Sequence, residues 1–272
     1  MKTIYTAFSF LLCVKQFTMR IGVLFYLLLS ATSSNAHNQV SLVDLVKRAK
    51  PSVVSIAMFT PLESKAPNIL GTGFVVGNGK YIVTNYHVVS AELDTKIVQY
   101  YVALSGEGML PKVHKMTLID IDPVHDLALL SIESSLTAMS LAKDAFVDSG
   151  TNIVMTGYPI GAVLGLYPAT HTGIVAAIAP DTNPARNADD LTLKMLERLK
   201  EPFLIYQLDI TAFPGNSGSP IYDRNTGEVI AVLNKVFVSG GKEAALTNPS
   251  GISYAIPAKQ VRALAKKNSI SL

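Results

Sequence analysis

The stretch Pro214-Gly215-Asn216-Ser217-Gly218-Ser219-Pro220 places a serine between two glycines on a tight turn. A nucleophilic serine needs an exposed Oγ and nearby backbone N–H groups aimed at the oxyanion that forms on attack. Gly215 can adopt backbone angles closed to other residues and bring its N–H close to a bound carbonyl, and Pro214 stiffens the approach. Glycine, asparagine and serine also make ordinary surface turns. The stretch therefore needs partners before it means chemistry.

Two segments supply them. Tyr81-Ile82-Val83-Thr84-Asn85-Tyr86-His87-Val88-Val89 reads as an apolar strand running into a histidine. Asp122-Pro123-Val124-His125-Asp126-Leu127-Ala128-Leu129-Leu130 reads as a turn, an aspartate and then an apolar strand. Serine chemistry calls for a neutral imidazole to take the hydroxyl proton and a carboxylate to hold that imidazole in the right tautomer. His87, Asp126 and Ser217 provide these groups, and Asp120 or Asp122 could stand in for Asp126.

With these residues in view, the chain resembles the trypsin-like serine proteases of the HtrA/Deg group, in the His, Asp, Ser order of chymotrypsin-type enzymes. Besides the three segments above, the matching motifs are Gly71-Thr72-Gly73-Phe74-Val75-Val76, Gly157-Tyr158-Pro159-Ile160-Gly161, Thr172-Gly173-Ile174-Val175 and Gly251-Ile252-Ser253-Tyr254-Ala255-Ile256-Pro257. One such motif is weak; an ordered set from Gly71 to Pro257 is specific. The resemblance implies an all-β fold of two six-stranded barrels of chymotrypsin type with a C-terminal helix, and a cleft between the barrels. It implies Asp126 as the triad carboxylate, because the family aspartate directly precedes Leu-Ala-Leu-Leu. It implies an oxyanion hole at Gly215, Asn216 and Ser217, with the Gly215 and Ser217 N–H groups as donors.

The same resemblance bounds the first substrate pocket by the segment before the nucleophile and by Val232–Lys235 and Ser253–Ala255, which gives Thr211, Leu233, Asn234 and Ser253 as pocket residues. Thr211 lies six residues before Ser217, where a trypsin carries an acid. A buried substrate cation would find no partner there, so small to medium apolar side chains are expected before the cut bond. The departures from the family are also informative. No PDZ sequence follows Pro257, Ser219 replaces the commoner glycine, and Gly218 stands where digestive trypsins pair an aspartate with a freed N-terminus. Activation by N-terminal clipping is therefore not expected.

The chain has 272 residues, 49% hydrophobic and 16% charged, enough for a substantial core in a single all-β unit. Its net charge of +3 comes from Lys2, Lys15 and Arg20, the only charges before His37; without them 20 basic residues face 20 acidic ones. A neutral body with no basic run until Lys266-Lys267 makes no electrostatic case for nucleic acid. Met19-Arg20, the apolar run Ile21–Leu29 and the small residues Ser34-Asn35-Ala36 read as an export signal cleaved after Ala36, with Met19 as the true initiator. Neither apolar run near the N-terminus reaches the ~20 residues that span a bilayer, so stable membrane insertion after cleavage is not expected. The expected location is the bacterial periplasm or the medium.

The single cysteine, Cys13, lies in that leader, which excludes disulfides, a cysteine nucleophile and thiolate metal sites from the mature chain. His37, His114, His125 and His171 show no ligand spacing, so no metal and no cofactor are expected.

Short apolar or alternating runs bounded by turn residues predict strands over Val53–Phe59, Gly73–Val76, Tyr81–Thr84, Ile97–Leu104, Met116–Asp120 and Leu127–Ile132. A second set covers Ile153–Tyr158, Thr170–Ala179, Phe203–Asp209, Pro220–Tyr222, Val229–Asn234 and Ile252–Ile256. A division near 140–150 separates a first barrel over 37–145, carrying His87 and Asp126, from a second over 146–272, carrying Ser217. Helices are expected at Ser41–Ala49, at Asp189–Lys200, which could cover the cleft, and at Ala258–Lys267. Three functional classes follow from these residues. The first, favoured by the intact triad, is an exported endopeptidase acting on unfolded or exposed polypeptides. The second is a latent protease-fold protein acting as a binding or chaperone-like module. The third is an esterase or acyl transferase.

Overall fold

The computed structural model describes residues 40–64, 66–94, 96–159, 165–181, 203–236 and 251–272. The leader, Met19 and the helix expected at Asp189–Lys200 lie outside the described residues.

Twelve strands close into two barrels. The first contains β1 (Val53–Phe59), β2 (Asn68–Val76), β3 (Tyr81–Thr84), β4 (Tyr100–Ser105), β5 (Lys112–Asp122) and β6 (Leu127–Ile132). The second contains β7 (Asn152–Gly157), β8 (Ala169–Pro180), β9 (Leu204–Asp209), β10 (Pro220–Asp223), β11 (Val229–Val236) and β12 (Ile252–Pro257). Both share one antiparallel order, β1-β2-β3-β6-β5-β4 and β7-β8-β9-β12-β11-β10. Pairing of β1 with β4 closes the first, and pairing of β7 with β10 closes the second. Closure leaves neither barrel, among the described residues, with a sheet edge to template aggregation.

Each barrel has its own apolar interior. Val54, Ile56, Val75, Ile82, Ala103 and Leu130 fill the first, and Ile153, Met155, Tyr206, Leu208, Ile221 and Leu233 the second. A third cluster joins the two: Phe74, Val83 and Leu129 pack with Val154, Tyr222, Val232 and Ile256. An apolar cluster thus packs across the seam between the barrels.

Helix α1 (Leu42–Ala49) starts at Ser41, whose Oγ accepts the Asp44 N–H at 3.1 Å, and Pro51 follows it. Helix α2 (Ala258–Lys267) buries Ala258, Val261, Leu264 and Ala265 against the seam cluster. Burial of Val261 and Leu264 contributes about 1.5–3 kcal/mol each. Its basic last turn, Lys266-Lys267, sits at the negative end of the helix dipole.

Candidate active site

The site lies where the start of β6, the end of β3 and the turn before β10 meet. A short 3-10 turn, Tyr86–Val88, follows β3 and carries His87. Asp126 closes the β5–β6 connection with φ of 53°, a left-handed conformation uncommon outside glycine and tolerated best by aspartate and asparagine. That conformation is held in place: the Asp126 carbonyl accepts the Tyr86 N–H and the Asn85 side-chain amide, each at 3.1 Å. The Asp126 carboxylate grips the histidine twice, with Oδ1 accepting the His87 backbone N–H at 2.9 Å and Oδ2 lying 2.6 Å from His87 Nδ1. This arrangement fixes the tautomer that leaves Nε2 free to accept a proton.

The other two aspartates are engaged elsewhere. Asp122 Oδ2 lies 2.6 Å from His125 Nδ1, and Asp120 Oδ2 accepts from Lys267 Nζ and Asn268 Nδ2 at 2.8 Å each. Those donors, with the Ile121 N–H, pull the Asp120 carboxyl down to about 2.

Ser217 arrives from the second barrel. Gly215 and Gly218 both have positive φ, 93° and 86°, so the turn needs glycine at each. The Asn216 N–H is spent inside the turn on the Phe213 carbonyl at 3.0 Å. Asn216 therefore supplies no backbone donor, in keeping with Gly215 and Ser217 as the expected donors. Among the described residues, no backbone carbonyl accepts either of those two N–H groups. Gly71 lies between the two halves of the site: a Cβ there would stand 2.9 Å from the Val88 side chain and 3.1 Å from the Ser217 carbonyl. The absence of that atom lets the histidine turn and the serine turn approach.

Ser219 is accommodated by Gly157. Ser219 is fully buried, and a Cβ at Gly157 would collide with its hydroxyl. The serine thus occupies space that the missing Gly157 side chain leaves open.

The expected pocket residues divide. Thr211 is partly buried on the segment before the nucleophile. The Leu233 side chain belongs to the second barrel's interior, and its backbone accepts the Gly218 N–H at 2.9 Å. The Ser253 hydroxyl is buried and donates to the Ile210 carbonyl at 2.9 Å. Asn234 has a contact the sequence did not indicate. The ladder between β11 and β12 shifts register from Leu233 to Lys235, so Asn234 is the extra residue of a bulge. Its Nδ2 donates to Asp126 Oδ2 at 2.7 Å. At the bulge, the side chain reaches the carboxylate.

Two flanking contacts complete the surroundings. Lys235 Nζ pairs with Asp181 Oδ1 at 2.8 Å, and the His125 ring packs edge-on against Phe203 at 4.5 Å. Further along, the His171 ring lies 6.0 Å from that of Phe213, in the segment leading to the serine turn. Burial lowers the affinity of His171 for a proton.

Comparison with known proteins places the fold. Over 193 residues the chain is 32% identical to a probable periplasmic serine endoprotease DegP-like protein of Pseudomonas fluorescens, covering 69% of this chain and 32% of that protein. It is 27% identical over 226 residues to serine protease HTRA1 of Xenopus tropicalis, covering 81% of this chain and 41% of that protein. The chain thus spans about a third of the DegP-like relative's length. Among solved structures, an HtrA-type protease AlgW with tripeptide superimposes with a TM-score of 0.59 at 25% identity, covering 83% of this chain and 62% of that one. A serine endoprotease from Yersinia pestis, at 21% identity and a TM-score of 0.58, shares the fold over 84% of this chain and 66% of that one. The two closed barrels with a C-terminal helix are the chymotrypsin-like fold of the HtrA proteases. Residues 71–232, more than half of the chain, match the family model for the trypsin-like peptidase domain, and the chain belongs to that family.

Proposed function

We propose that this chain is an exported serine endopeptidase with His87, Asp126 and Ser217 as its triad. One observation carries the reading: Asp126 Oδ2 stands 2.6 Å from His87 Nδ1, in a chain 32% identical over 193 residues to a probable periplasmic serine endoprotease. His87 Nε2 removes the Ser217 proton as Oγ attacks the peptide carbonyl, and Asp126 stabilises the resulting imidazolium. The Gly215 and Ser217 N–H groups stabilise the oxyanion. The imidazolium then protonates the leaving amine, and water resolves the acyl-enzyme by the same path. Asn234 acts as a positioning residue, donating to the same Asp126 Oδ2 that faces the imidazole.

The substrates are unfolded or exposed polypeptides cut after small to medium apolar residues, because Thr211 offers no charge to a basic side chain. Export is supported by the leader and by relatives described as periplasmic. Among the described residues, no helix is long and apolar enough to cross a membrane. Cleavage-site profiling on an unfolded protein tests the preference, and a dominant cut after Lys or Arg refutes it.

One observation favours a second reading, a latent protease-fold binding module. Among the described residues no hydrogen bond joins Ser217 Oγ to His87. Catalytic hydrogen bonds are often long before substrate binds and tighten in the complex, so the endopeptidase reading stands ahead. Casein digestion that depends on Ser217 separates the two.

A further inference from the structure

Thr72 reaches from the first barrel into the serine turn of the second. It is fully buried at the centre of β2, flanked by Gly71 and Gly73. Its backbone N–H donates to the Ser217 carbonyl at 2.9 Å. Its hydroxyl donates to the Gly215 carbonyl at 2.7 Å and accepts the Tyr158 N–H at 2.9 Å. Its own carbonyl accepts the Thr84 hydroxyl at 2.7 Å, on the strand that leads to His87. All the polar atoms of this one residue are engaged, and two of them hold the carbonyls on either side of Asn216.

A carbonyl held in place orients the peptide plane to which it belongs. The Gly215 carbonyl sets the plane whose N–H belongs to Asn216 and donates to Phe213. The Ser217 carbonyl sets the plane whose N–H belongs to Gly218 and donates to Leu233. The Ser217 N–H belongs to the peptide between these two anchored planes. The carbonyl of that peptide, from Asn216, accepts the Ser219 N–H at 2.9 Å, so the peptide has little freedom left. The Gly215 N–H belongs to the adjoining peptide on the far side of Gly215, one residue from the held carbonyl. The packing agrees: a Cβ on Gly218 would collide with the Thr72 carbonyl and the Thr84 hydroxyl. We propose that Thr72 is a positioning residue that presets the oxyanion hole, its hydroxyl acting on the turn rather than on substrate. The inference rests on the endopeptidase reading for its kinetic consequence, but the clamp itself is a property of the fold.

The test compares Thr72→Val, which keeps the shape and loses the hydroxyl, with Thr72→Ser, which keeps the hydroxyl, in the full chain. Two measurements are made on each: the rate at which a fluorophosphonate labels Ser217 as a function of pH, and amide hydrogen exchange across residues 213–219. Loss of an oxyanion-hole donor costs about 10²–10³ in rate; loss of its positioning should cost about 30-fold or more. Thr72→Val is expected to label at least that much more slowly, with the shape of the pH profile unchanged because His87 and Asp126 are untouched. Thr72→Ser is expected within about three-fold of the parent. Exchange over 213–219 should quicken at least ten-fold in the valine variant alone, while the barrel interiors keep their protection. Should valine loosen the whole barrel, Thr72→Ala takes its place in the same comparison. Parent-like labelling and exchange in the hydroxyl-free variant overturn the proposal. If the parent protein itself does not label, the endopeptidase reading fails and the exchange comparison alone decides the clamp, with unchanged protection at 213–219 refuting it.

Discussion

Asn234 of the second barrel and His87 of the first meet the same oxygen of Asp126: Asn234 Nδ2 donates to Oδ2 at 2.7 Å, and His87 Nδ1 lies 2.6 Å from it. The carboxylate is therefore held across the seam between the barrels. Removing a hydrogen bond to a charged group costs about 1.5–3 kcal/mol, so Asn234→Leu is expected to lower kcat roughly ten- to hundred-fold with KM little changed. A residue lining the substrate pocket would instead shift KM and side-chain preference. Steady-state kinetics on peptides with different apolar residues before the cut bond discriminate the two roles.

Gly157 and Ser219 are expected to be energetically coupled. A methyl group at Gly157 would collide with the Ser219 hydroxyl and stand 2.9 Å from Asn216 Oδ1. Overpacking of this kind costs about 1–3 kcal/mol. Gly157→Ala should lower the unfolding free energy by that much. Adding Ser219→Gly should return about 1 kcal/mol of it, a coupling of the size found for residues in contact. Denaturant titration of the two single variants and the double variant measures it, and strict additivity would count against the packing described.

Two histidines make stability depend on pH. Burial lowers His171 below its ordinary 6.5, and burial followed by the nearby Lys112 lowers His114. With the folded values depressed, the unfolded chain binds protons first as the solution is acidified. Stability is thus held above about 6.5 and lost as pH falls from there toward the lower folded values. Urea midpoints at pH 7.5 and 5.5 should differ, and His171→Leu should narrow the difference. An unchanged gap in that variant would show that His171 takes no part.

A second pH dependence lies lower. The Asp120 carboxyl, drawn down to about 2 chiefly by Lys267, ties the end of α2 to β5. Its folded value is depressed, so its contribution is present above the ordinary 3.8 and lost as pH falls toward 2. Lys267→Met should move the onset of acid unfolding to higher pH, as followed by far-UV circular dichroism. An onset identical to the parent's would assign acid sensitivity to other carboxylates.

Local pattern made several elements readable from sequence. Val53–Phe59, Tyr81–Thr84 and Leu127–Ile132 are apolar runs whose strands have those same bounds, and Ala258–Lys267 has the helical period and the preceding proline that define α2. Where side chains carry no signal, the reading falls short. β5 begins at Lys112, four residues before the expected start at Met116, because Lys112–Lys115 pair with β4 through the backbone while their side chains are mostly exposed. At the site, His87 and Asp126 stand out because each sits at the junction of a turn and an apolar strand. The role of Asn234 depends on a bulge, and a bulge adds one residue to a ladder without a local signature. Thr72 lies 143 residues from Gly215 in the chain, so its contact could not be read. Its one visible sign was a hydroxyl between two glycines inside a strand.

In the proposed mechanism, His87, Asp126 and Ser217 form one working nucleophile. The most direct measurement is fluorophosphonate labelling of the purified protein beside Ser217→Ala and His87→Ala, with the modified residue located by mass spectrometry. Label is expected on Ser217 in the parent, none in Ser217→Ala, and labelling slowed by about 10⁴ or more in His87→Ala. Absence of label in the folded parent, or equal labelling with and without His87, would contradict that mechanism.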